Sequence, residues 1–67
     1  MFRIKMQRDD GLTFAYTAGE YGDILDWFER QCQYTTPIRR VSVYDDEGLI
    51  EAPEIQEIWE ASQEETD

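Results

Sequence analysis

The 67-residue chain contains no histidine and a single cysteine, Cys32. Without histidine there is no Ser-His or Cys-His pair to activate a nucleophile. A lone cysteine forms no internal disulfide, and with no His beside it a structural zinc site is implausible. The lack of a disulfide framework points to a reducing compartment. No apolar run approaches the ~18 residues of a membrane span. The opening Met1-Phe2-Arg3-Ile4-Lys5-Met6 alternates apolar and charged residues, unlike the continuous apolar stretch of a signal peptide. Four glycines are too few and too scattered for a phosphate-cradling loop. These absences predict a cytoplasmic non-enzyme without cofactor or metal. The last absence is the most informative: no Lys, Arg or His follows Arg40.

Residues 1–44 hold six acidic and six basic side chains, whereas residues 45–67 hold ten acidic and no basic ones. The whole formal charge of −10 therefore belongs to the last third. Such a charge argues against direct binding to DNA, RNA or anionic lipid, and favours a basic protein partner. Leu49, Ile50, Ile55, Ile58 and Trp59 run through the acidic third. It therefore reads as a folded anionic surface and not as a disordered tail.

Sixty-seven residues make one domain, 1–67, with residues 64–67 expected to fray. Its core must come from apolar packing of nine aromatics and the aliphatic residues, with self-association as a further support, so a monomer or weak homodimer is expected. Phe2, Ile4 and Met6 alternate with Arg3, Lys5 and Gln7, the period of a half-buried strand. Asp9-Asp10-Gly11 signals a turn, and Leu12, Phe14 and Tyr16 then share one face of a second strand. Thr17-Ala18-Gly19-Glu20 fits a capping box, with Asp23 as the alternative cap. Ile24, Leu25, Phe28 and Cys32 form the apolar stripe of a helix ending near Gln33, with Trp27 beside it. A buried structural cysteine is the reading of Cys32.

Thr35-Thr36-Pro37 breaks the helix. Ile38 to Tyr44 reads as a third strand with Val41 and Val43 inward. Asp45-Asp46-Glu47-Gly48 is a turn, and Leu49-Ile50-Glu51 a short fourth strand. Pro53 opens a second helix in which Ile55, Ile58, Trp59 and Ser62 share a face. The order is ββαββα, an α+β fold with a small, mostly antiparallel sheet and one or two helices packed on one face. The two halves share a plan of strand, acidic turn, strand, helix, which short hairpins also reach by convergence. The Asp45-Asp46-Glu47-Gly48 turn lacks the spacing of an EF-hand loop.

The candidate partner-binding residues are acidic. Glu20, Asp23, Asp26 and Glu29 stand three apart on the first helix, and Glu51, Glu54, Glu57 and Glu60 repeat that spacing, with Asp45, Asp46 and Glu47 in the turn between. Neighbours at i and i+3 lie about 5–6 Å apart. Each row sets one carboxylate per ~4.5 Å of axis, comparable with one phosphate per ~3.4 Å along a DNA strand. The helix dipole accounts for Glu20, Asp23 and Glu54 near N-termini. It does not account for Glu57, Glu60, Glu64 and Glu65, which have no i+4 cation. The competing interpretation is a solvated acidic face. Arg3, Lys5 and Arg40 fall on the sheet face opposite the apolar set, making it mildly basic; the competing reading is an ordinary solvated face whose edge Lys and Arg discourage aggregation. Trp59 suits either the core or a partner's pocket, while Tyr34 and Tyr44 stand at element ends.

In size and in its two acidic rows, Glu20/Asp23/Asp26/Glu29 and Glu51/Glu54/Glu57/Glu60, the chain resembles small phage-encoded inhibitors of bacterial defence, including anti-CRISPR proteins and other DNA mimics. The resemblance covers the whole chain but rests on charge strategy, not on a sequence motif. It implies a stoichiometric inhibitor acting in a bacterial cell, blocking the basic nucleic-acid-binding site of a CRISPR effector or nuclease complex. The basic Arg3/Lys5/Arg40 set departs from a uniformly anionic mimic. Two other classes share the composition: an immunity protein or antitoxin covering a basic nuclease or toxin, and a structural or regulatory module, for instance a homodimer burying the Trp59 helix.

Overall fold

The computed structural model describes residues 1–34 and 37–64. The elements are β1 (Phe2–Arg8), β2 (Thr13–Ala18), α1 (Tyr21–Gln31), β3 (Ile38–Asp45), β4 (Gly48–Ile50) and α2 (Pro53–Glu64). The four strands form one antiparallel sheet in the order β2-β1-β3-β4. This is the expected α+β fold, ββαββα, with both helices on one face.

Alternation in β1 sets the layers. Ile4 lies opposite Tyr16 and Val43, and Met6 opposite Phe14 and Val41. These side chains face the helices. Ile4, Met6, Ile24, Phe28, Ile38, Val43 and Ile55 are the buried core, with Trp27, Leu25, Ile58 and Trp59 packed around them. Tyr16 stacks flat on Trp27 at 5.3 Å, fixing α1 over the β1–β2 hairpin. The opposite parity places Arg3 across from Tyr44 and Thr17, Lys5 across from Ser42 and Ala15, and Gln7 across from Arg40. That outer face carries the exposed Arg3, Lys5 and Arg40, as the alternation predicts, but on the two central strands, so they guard neither edge of the sheet.

Two turns use glycine where φ is positive, Gly11 at 91° and Gly48 at 125°. In the first, the Leu12 N–H donates to Asp10 Oδ1 at 3.0 Å and the Arg8 N–H to the Leu12 carbonyl at 2.9 Å. Leu12 is thereby consumed by the turn and is 57% exposed, not part of β2 as its alternation suggests.

The expected capping box is absent. Thr17 and Ala18 belong to β2, paired with Arg3 and Phe2. Glu20 is the N-cap and makes no side-chain capping bond, while Asp23 lies within the first turn of α1. Pairing with β1 outcompetes a local hydroxyl cap because it satisfies several backbone groups at once.

β4 is only three residues long, so Glu51 falls after the strand and before α2. The chain therefore starts α2 at the same end as α1. Tyr21, at the start of α1, donates its hydroxyl to Glu54 Oε2 at 3.0 Å, at the start of α2. Cys32, at the end of α1, meets Ser62 in the last part of α2. The two helices run parallel. The Trp59 indole N–H donates to the Ile38 carbonyl at 3.0 Å, tying α2 to β3. Residues 35–36, which include two members of the helix-breaking triplet, and 65–67, most of the expected frayed end, lie outside the described residues.

Candidate interaction surface

Amphipathicity orients α1 through Ile24 and Phe28, so the carboxylates of the other face meet solvent. Asp23, Asp26 and Glu29 are all exposed, as are Glu54, Glu57 and Glu60 on α2. Three residues rotate an α-helix through about 300°, so each step of a row falls about 60° short of a full turn. The α1 row therefore starts at Asp23 on the β2 flank and ends at Glu29 by the α1–α2 seam. There Glu29 borders a hollow of about 340 Å³ with Cys32, Ile58, Ala61 and Ser62. The α2 row starts at the seam with Glu54 and ends at Glu60 on the far flank. Because the helices are parallel, the two rows slant in the same sense and form two oblique lines.

The other candidates join these lines less directly. Glu20 is exposed but extended, at φ −125° and ψ 144°. Glu51 is exposed and lies before α2. Asp45 ends β3, Asp46 and Glu47 form the β3–β4 turn, and all three line an open cleft of about 600 Å³ with Arg3, Lys5, Thr17 and Tyr44. There part of the acidic charge is engaged within the molecule. Asp45 Oδ1 accepts the Glu47 N–H at 2.7 Å, and Asp46 pairs with the N-terminal ammonium at 3.2 Å. Structure thus separates eleven sequence candidates into six helical carboxylates in two lines and five flanking ones.

Among the described residues, none of the six helical carboxylates makes an ion pair. Glu54 accepts the Tyr21 hydroxyl, and Glu60 accepts Gln56 Nε2 at 3.1 Å. Desolvation, with Glu54 adding through its hydrogen bond and charge, pushes the Tyr21 phenol up to about 12. Burial pushes the Cys32 thiol up as well, and Glu29 adds to this, while Ser62 and Arg8 pull the other way. Cys32 is half-buried and faces the helix seam, a poor nucleophile in its thiol form.

One residue with a central role is missing from the sequence-level candidates. Arg8 is buried, 5% exposed, and its Nη2 donates to the Gln31 carbonyl at 2.9 Å and to Gln31 Oε1 at 3.2 Å. Its guanidinium lies over Phe14 at 5.6 Å and over Tyr34 at 5.2 Å. The signal was parity: Arg8 continues the inward series Phe2, Ile4, Met6. It crosses the sheet end to the C-terminus of α1, where a cation is favoured. Consequently Arg8 does not contribute to the basic outer face. Trp59, half-buried with its N–H satisfied inside the molecule, takes the core alternative. Tyr34 is exposed, and Tyr44 is half-buried under Lys5 Nζ at 5.9 Å.

The fold thus presents an acidic helical side and a mildly basic sheet side on a body 37 × 22 × 17 Å. No described helix is long and apolar enough to cross a membrane. No family model matches the chain, and no curated protein or solved structure matches it significantly.

Proposed function

We propose that the protein is a stoichiometric inhibitor that occupies the basic nucleic-acid-binding groove of another protein, with a CRISPR effector or other defence nuclease complex of a bacterial cytoplasm as the target class. The supporting observation is the pair of oblique lines, Asp23/Asp26/Glu29 and Glu54/Glu57/Glu60, exposed and, among the described residues, in no ion pair. Neighbouring helix axes lie roughly 8–10 Å apart, between the ~6 Å and ~12 Å widths of the DNA grooves. Lys and Arg that neutralise phosphates would meet carboxylates at similar spacing. Complementary fields would speed encounter, and affinity would fall as salt rises.

The test is a competition assay. Purified effector complexes and nucleases are loaded with a fluorescent duplex, and the protein is titrated in at low and high salt. Glu57→Lys combined with Glu60→Lys is the decisive variant, since neither residue holds Tyr21. The expected result is displacement by the wild type, weakened by salt and abolished in the double reversal, with unchanged circular dichroism. Equal displacement by wild type and double reversal overturns the proposal.

The immunity-protein reading needs an aromatic anchor. Trp59 is committed to Ile38, which leaves Tyr44 for that role and makes the reading weaker.

A further inference from the structure

We infer that β2 is a self-association edge, pairing antiparallel with β2 of a second copy to give a continuous eight-stranded sheet. This inference stands apart from the inhibitor reading and uses a different surface.

Soluble proteins blunt sheet edges with shortness, charge, proline or bulges. The two edges of this sheet are treated differently. β4 is three residues long. β2 is six residues long, Thr13-Phe14-Ala15-Tyr16-Thr17-Ala18, rich in strand-favouring types and free of charge and proline. Its register with β1 is regular, and the only shift in β1 pairing lies on the β3 side at Gln7/Arg8. Among the described residues nothing pairs with its outer edge. Of the large exposed apolar residues, Phe14 lies in this strand and Leu12 borders it.

Charge selects the occupant. Two copies carrying −10 each repel through most approaches. Residues 11–19 are the longest uncharged stretch of the chain, nine residues, and β2 is their centre. Here a second copy approaches with the least repulsion and gains backbone hydrogen bonds.

An isologous pair obeys a twofold axis. With antiparallel strands in one sheet, that axis is perpendicular to the sheet, and each residue opposes one of its own parity. Centring on Ala15 places Phe14 opposite Tyr16 of the second copy, twice, and Thr13 opposite Thr17, twice. Aromatic pairs and Thr–Thr pairs are favourable cross-strand neighbours. Tyr16 already stacks on Trp27, so each Phe14 would extend an aromatic row begun in the other copy. The same axis keeps all four helices on one side, so the acidic lines of both copies face the same way. A six-residue ribbon, roughly 20 Å long, is a small interface, so the dimer forms at high protein concentration.

Salt separates this from the inhibitor reading: the dimer tightens as salt screens the like charges, whereas capture of a basic partner weakens. The test is sedimentation equilibrium of the full chain, from micromolar to millimolar protein, in 0.05 and 0.5 M NaCl (~14 and ~4 Å screening lengths). The expected weight-average mass rises from the 8.0 kDa of one chain toward twice that value, more in high salt. Ala15→Lys, which sets two ammonium groups face to face, holds the mass at one chain. Ala15→Cys sets two Cβ atoms about 4.5–5.5 Å apart, close to disulfide reach. It is expected to cross-link under mild oxidation at least tenfold faster than Thr13→Cys or the wild type with its own Cys32. A wild type that stays at one chain mass throughout, or Ala15→Cys that cross-links no faster than Thr13→Cys, overturns the inference.

Discussion

Replacing Arg8 with methionine tests the most consequential side chain that the fold conceals. Methionine preserves the apolar stem along the sheet but removes the guanidinium. The lost interactions include two hydrogen bonds to Gln31, at 2.9 and 3.2 Å, and the stacking on Phe14 and Tyr34. A hydrogen bond to a charged group is worth about 1.5–3 kcal/mol, and each cation–π contact roughly 0.5–1 kcal/mol at a partly wet site. Against this, methionine spares the desolvation of a buried charge, a term of several kcal/mol in a dry interior. Here that penalty is reduced, because Tyr34, which covers the guanidinium, is itself 65% exposed. The Gln31 carbonyl, one of the last of α1, also loses its donor. The balance is a net destabilisation of about 2 kcal/mol.

A domain of this length has a total stability of roughly 3–10 kcal/mol, so the loss is a large share. With a urea slope of about 1 kcal/mol/M for a small protein, the midpoint falls by about 2 M. The assay is equilibrium urea unfolding followed by tryptophan fluorescence. Arg30→Met is the control: it removes the same formal charge from an exposed site, where the Arg30 Nε reaches the Asp26 carbonyl only at 3.5 Å. Its midpoint should stay within about 0.5 M of wild type. Arg8→Lys should recover less than half of the loss, since an ammonium neither stacks nor forks. Equal midpoints for Arg8→Met and Arg30→Met would refute the reasoning.

Other expectations follow from the same geometry. The native Tyr21 phenol is raised from 10 to about 12, so the folded protein holds that proton longer than the unfolded chain. Its contribution is complete below pH 10 and is lost as pH rises from 10 through 12. Tyr21→Phe should flatten the alkaline fall in a pH series of urea midpoints, and absorbance at 295 nm should show one phenol titrating late. Trp59→Phe removes the bond to the Ile38 carbonyl and should cost about 1–2 kcal/mol in urea melts; a neutral outcome would place the indole outside the core. Phe28, fully buried, should cost about 3–5 kcal/mol as alanine, enough to unfold much of the protein by circular dichroism. Cys32 should react with a disulfide reagent at neutral pH well below the rate of a free thiol and accelerate in urea; reaction at the free rate would contradict its burial.

Period and parity carried most of the architecture. The 2-residue alternation of Phe2 to Met6 and of Val41 and Val43 located both central strands and their faces, because one side of this sheet is dry and the other wet. The stripe through Ile24 and Phe28 located α1 for the same reason. Boundaries were less legible. Leu12 looked like strand, but the Asp10 and Gly11 turn absorbs it. Thr17 looked like a cap, but a neighbouring strand some fifteen residues away in sequence claims its backbone. The acidic rows were visible as spacing, yet their slant and shared direction depended on how short β4 is, which composition does not encode. Arg8 was hidden by its chemistry: a charged residue beside a turn reads as solvent-facing, although its parity pointed inward.

The brevity of β4 has a further electrical result. Adjacent antiparallel helices largely cancel their peptide dipoles, whereas α1 and α2 add theirs. The partial negative ends of both coincide at the end that bears Glu29 and Glu60, and the partial positive ends coincide near Tyr21. Side chains answer this lengthwise field: Arg8 and Arg30 stand at the negative end of α1, while Glu20, Asp23 and Glu54 stand at the positive ends. The helix dipoles are thus offset along the length of the molecule, and the polarity that a cationic surface would meet runs from face to face.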